Sequence, residues 1–96
     1  MTKLSPKATR FVDFAMRDMD HQSKAVWEGI DPKRDLPPEA VKVVLSALDH
    51  FERFLRVRLA SPRLSEDEAS DLSNDLGFIC ATEQELSKAL GEVNRS

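Results

Sequence analysis

Asp67, Asp71 and Asp75 recur at every fourth position, and Glu66 and Glu68 stand at the head of the run. On a helix this spacing stacks the carboxylates into one ridge, where like charges repel by a few tenths of a kcal/mol per pair, about what a helix could have avoided with neutral residues. Two kinds of chemistry suit such a ridge: coordination of a divalent cation, or electrostatic recognition of a basic surface. The metal reading needs a second acidic helix converging on the first. The first helical stretch offers Asp13, Asp18 and Asp20 but no E-x-x-E repeat. His21 and His50 lie in different segments without an H-E-x-x-H arrangement, so no histidine-based metal site is expected either.

Nucleophilic catalysis requires a serine or cysteine beside a base that a third group orients, and neither Cys80 nor any serine has such neighbours in the sequence. Arg17 and His21 sit four apart but lack the flanking polar residue that a ribonuclease-type pair uses. Gly29, Gly77 and Gly91 are isolated, which leaves no phosphate-cradling loop. The expectation is a non-enzymatic chain with no cofactor and no metal. Arg53, Arg56, Arg58 and Arg63, interleaved with Phe54 and Leu55, could meet nucleic acid. Cations in a last helical turn complement the helix dipole and cover apolar surface with their stems, so we read this cluster as structural.

Three helical stretches must position these groups. Ser5 is a good N-cap with Pro6 at the first helical position, and Phe11, Val12, Ala15, Met16, Met19, Val26 and Trp27 share one face. The first helix is therefore expected to run to Gly29, where a left-handed glycine and then Pro32 would end it. Pro37-Pro38-Glu39 opens a second helix that reaches about Leu59. Its apolar residues cover more than half the circumference, which makes it the central helix or a subunit interface. Ser65 with Glu68 reads as a capping box for a third helix, whose stripe is Leu72, Leu76, Ile79, Leu86, Leu90 and Val93. Gly77 and the second capping-box pattern at Thr82-Glu83-Gln84-Glu85 leave open whether this helix is continuous, kinked or broken. The expected fold is all-α: one helical domain over residues 1–96, an up-down-up three-helix bundle, or four helices if the last segment breaks near Gly77–Thr82.

The composition agrees, with 41% hydrophobic and 32% charged residues, as a thin core covered by amphipathic helices requires. A single cysteine excludes an internal disulfide and a thiolate-rich zinc site, and it suits the reducing cytoplasm. We expect Cys80 to be a small apolar core residue. The first residues contain no apolar signal core, and no run approaches the ~20 residues of a membrane span, so neither export nor membrane insertion is expected.

The formal net charge of −3 is unevenly spread. Residues 1–63 balance at +3, and residues 64–96 carry 8 acidic against 2 basic side chains. Such a single-sign region attracts partners of opposite sign. Its acidic run, Glu66-Asp67-Glu68 with Asp71 and Asp75, together with the chain's size and helical build, resembles the small cytosolic immunity proteins of bacterial toxin/immunity pairs, of the contact-dependent growth inhibition or bacteriocin type. The resemblance spans the chain. It implies tight one-to-one inhibition of a cognate nuclease toxin domain, no activity of the chain's own, and no direct contact with nucleic acid. The expected partner-binding residues are Glu66, Asp67, Glu68, Asp71 and Asp75, with Phe78 as an apolar anchor and Phe14 or Trp27 as further candidates. The alternative is a self-associating adaptor or regulatory subunit, a homodimer formed through a row of Val43, Ala47 and Phe54.

Overall fold

The computed structural model describes residues 3–95, with side chains through residue 91. Among the described residues there are four helices: α1 (Pro6–Met16), α2 (His21–Glu28), α3 (Pro38–Leu59) and α4 (Glu66–Arg95). The all-α class is as the sequence implies, but the fourth helix comes from a break in the first expected helix, not in the last.

Helix α1 starts as expected, with the Ser5 hydroxyl accepting from the Ala8 N–H at 3.1 Å and proline in its first turn. It stops at Met16 because Arg17, Asp18 and Met19 form tight backbone turns and Asp20 caps a new helix, accepting from the Ser23 N–H at 2.7 Å. That bond lowers the Asp20 carboxyl below its ordinary range. Aspartate competes well with helical backbone bonding, so Asp18 and Asp20 mark a boundary that the apolar periodicity runs straight across. Gly29 ends α2 at φ −84° and ψ 1°, without the left-handed conformation expected of it; tightened bonds to Ala25, Val26 and Trp27 carbonyls close the turn.

Helix α3 is central, packing against α1, α2 and α4. Ala40, Val41, Val44, Ala47, Leu48, Phe51 and Leu55 are buried along it and meet Ala8, Val12, Ala15 and Met16 from α1. Ala47 is wholly buried and Val43 packs against this core, whereas Phe54 is 40% exposed, so within the Val43–Ala47–Phe54 row the open surface is mainly that of Phe54. The small alanines let helices approach closely while the branched residues fill the space between them.

Helix α4 runs unbroken past both suspected interruptions. A side chain at Gly77 would meet no neighbouring atom, so this glycine sits on the outer face and weakens the helix without bending it. Thr82 donates its hydroxyl to the Phe78 carbonyl at 2.9 Å, one turn back, and so does not act as a cap. Ile79 and Leu86 are buried, Leu72, Leu76 and Leu90 pack at the core's edge, and the Val93 side chain lies outside the described residues. Among the described residues no helix is long and apolar enough to cross a membrane.

Candidate functional site

The acidic run occupies the first turns of α4. Ser65 caps it as expected, accepting from the Glu68 N–H at 3.2 Å, and Glu66, Asp67 and Glu68 complement the exposed N–H groups of the first turn. Glu66, Asp67, Glu68 and Asp71 are all exposed, and among the described residues none of them forms an ion pair.

Neutralisation by the chain's own arginines would disqualify this surface; Arg53 and Arg56 are engaged elsewhere, and among the described residues neither Arg58 nor Arg63 forms an ion pair with it. Arg53 pairs with Asp49 at 3.0 Å and Arg56 with Glu52 at 2.9 Å, both one turn apart within α3. These pairs also use up half of the arginine cluster at the end of that helix. An open cleft between the ends of α3 and α4 is lined by Val57, Arg58, Arg63, Leu64 and Glu68.

Asp75 departs from the expected site. Its carboxylate lies 3.3 Å from the Lys7 ammonium of α1, so it is already neutralised. Phe78 is half-buried, not a free anchor: it meets the Phe11 ring edge-on at 5.9 Å, and the Lys7 ammonium sits 4.7 Å from its ring centre. The ridge divides at this point, with Asp67 and Asp71 free and Asp75 tied to α1. Trp27 is likewise engaged, donating its indole N–H to Asp13 at 2.7 Å, while Phe14 is 41% exposed.

One cluster escapes a reading of spacing. Between α3 and α4 the Cys80 thiol donates to Glu52 at 3.3 Å, and the Arg56 guanidinium donates to the same oxygen. Glu83 completes the group, with one ligand atom from each of Glu52, Cys80 and Glu83 within 4.8 Å of the others, and one Glu83 oxygen shut off from solvent without a hydrogen-bond partner. The Arg56 hydrogen bond holds the Glu52 carboxyl below its usual range. Its own bond to Glu52, then burial, pushes the Cys80 thiol up, and burial followed by the charges of Glu52 and Asp49 pushes the Glu83 carboxyl up. Cys80 is therefore a half-buried hydrogen-bond donor and not the apolar core residue expected. A protonated thiol is a poor nucleophile and a poor ligand. The signals available were the one-turn pairs Glu52–Arg56 and Cys80–Glu83, but no pattern within either helix announces that they face each other.

The chain matches no protein-family model, no curated protein and no solved structure.

Proposed function

We propose that this protein is a binding protein that neutralises a basic partner, a nuclease toxin domain, by laying the start of α4 against the surface where that partner would hold nucleic-acid phosphates. One observation carries the reading: Glu66, Asp67, Glu68 and Asp71 project from a rigid helix into solvent with no ion-pair partner among the described residues. A fixed row of carboxylates mimics the charge of a phosphate backbone, and complementary fields speed association and reject wrong partners. Buried apolar contacts supply most of the affinity in such complexes. Exposed Phe14 and Phe54 are the rings available for that role.

The test is calorimetric titration of the full chain into a panel of purified basic nuclease toxin domains, with nuclease activity followed in parallel. One-to-one binding that silences a nuclease is expected. Asp67→Lys with Asp71→Lys should weaken that binding about a hundredfold or more while the helical circular dichroism is unchanged. Retention of full affinity by the double variant, or indifference to every basic nuclease, would overturn the reading.

A further inference from the structure

The Glu52–Cys80–Glu83 group joins α4 to α3 and offers donors of two chemical kinds, a thiol sulfur and two carboxylate oxygens, all within 4.8 Å of one another. All three residues are half-buried. Among the described residues Oε1 of Glu83 is the one side-chain oxygen cut off from solvent without a hydrogen-bond partner. Such an oxygen has given up its water for nothing, and a water or an ion held within the group is the ordinary way to satisfy it. Two cations stand nearby on α3. Arg56 donates to Glu52 at 2.9 Å, and Arg53 is taken up by Asp49. Neither reaches Glu83, which forms no ion pair among the described residues.

We infer that this group is a binding site for a divalent cation of the zinc class. Charge selects the valence: with the thiol proton removed, Glu52, Cys80 and Glu83 carry three negative charges against the single positive charge of Arg56, and a divalent cation brings the group to neutrality. The donors select the kind of ion. One sulfur with two oxygens suits zinc, whereas magnesium and calcium take oxygen alone. Tetrahedral zinc holds such ligand atoms roughly 3.3–3.6 Å apart, so the group closes on the ion by about an ångström of side-chain movement. The Cys80 sulfur and the Glu52 oxygen already lie 3.3 Å apart. On binding, a sulfur–metal bond replaces the S–H bond and the thiol proton leaves to solvent, which turns a poor ligand into a good one. Arg56 keeps hold of Glu52 and orients it, as outer partners of metal ligands do. Water takes the fourth position. The ion ties α4 to α3 roughly 13 Å along α4 from Asp71, so the site is independent of the capture of a basic partner.

Calorimetric titration of Zn²⁺ into the full chain, stripped of metal with a chelator, tests this. One-to-one binding with a dissociation constant of about 10 μM or tighter is expected, with release of about one proton per ion, read from buffers of different ionisation heat. Cd²⁺ in place of zinc should give the ultraviolet charge-transfer band of a cadmium–thiolate bond, and Mg²⁺ should not compete. Cys80→Ser should abolish that band and weaken zinc binding about a hundredfold, and Glu83→Gln should weaken it about tenfold or more. Asp67→Asn with Asp71→Asn should leave it unchanged, which separates this site from the carboxylates at the start of α4. Helical circular dichroism verifies that each variant is folded; should Cys80→Ser fail that check, Glu83→Gln and the cadmium band of the unaltered chain decide. Binding weaker than about 10 μM, a cadmium complex without the thiolate band, full zinc affinity in a folded Cys80→Ser or Glu83→Gln variant, or loss of binding in the Asp67–Asp71 variant would each overturn the proposal.

Discussion

Two sets of carboxylates, one at the start of α4 and the other between α4 and α3, share a chemistry and differ in surroundings. Glu66, Asp67, Glu68 and Asp71 stand in solvent with no ion-pair partner among the described residues, whereas Glu83, farther along the helix, turns toward α3 and meets Glu52, Cys80 and Arg56. The inner set has spent its charge on the fold: one carboxylate is held ionised by Arg56, and the other is pushed toward its protonated form by burial. The outer set leaves its charge available to another molecule. Burial against α3 thus decides which acidic residues hold the structure and which can recognise a partner.

The contrast is broken most forcefully through the packing that creates it. Ile79 is wholly buried between the two sets and anchors α4 to α3. Ile79→Ala is expected to cost about 2–5 kcal/mol, read by urea denaturation, whereas Asp71→Ala should shift stability by less than about 0.5 kcal/mol. Comparable losses for the two substitutions would mean that the start of α4 is held more firmly than its exposure indicates.

A finer test is the response to pH. The raised Glu83 carboxyl binds its proton more readily in the folded chain than in the unfolded one, so its contribution to stability is fully present below the unfolded-state pKa and is lost as pH rises through the folded-state value. Glu52 has the opposite sign: its lowered carboxyl stabilises above the unfolded-state pKa and loses that contribution as pH falls through the lowered value. Acidifying from neutral therefore relieves Glu83 before it harms Glu52. Glu83→Gln should raise stability at neutral pH by less than about 1 kcal/mol, since solvent reaches part of the group, and should flatten the gain on mild acidification. Thermal midpoints measured across that range check this; an unchanged slope would show that Glu83 is not the group responsible.

The fold was legible where local chemistry and periodicity agree. Ser5-Pro6, Pro37-Pro38 and Ser65-Glu68 mark three helix starts, and the broad apolar surface of α3 identifies the central helix. The break at Arg17–Asp20 was hidden because Met16, Met19, Val26 and Trp27 stay in helical phase across it; the capping role of Asp20 was the contrary signal. The acidic run was visible for a related reason, being a pattern within one helix. Its division at Asp75 was not, because Lys7 lies on a different helix and only tertiary packing brings the two together. The same limit concealed the Glu52–Cys80–Glu83 group.

The smallest expected effect on stability is also the most direct way to move a residue from one set to the other. Lys7 and Asp75 are partly exposed, at 42% and 31% of their side-chain surfaces, so their ion pair contributes only about 0–1 kcal/mol. Methionine in place of Lys7 keeps an apolar stem over Phe11 and Phe78 while removing the ammonium from both rings and from Asp75. Lys7→Met should therefore change stability by less than about 0.5 kcal/mol, because the retained packing offsets much of the lost pair. Asp75 would then lack its cation and extend the free row of Asp67 and Asp71, and affinity for a basic nuclease domain should rise about two- to tenfold in calorimetry. The gain should shrink as salt increases, since it comes from one added charge on an exposed face. If Lys7→Met weakened capture instead, Lys7 would be a contact residue in its own right, and the boundary between the structural and the available carboxylates would lie elsewhere than at Asp75.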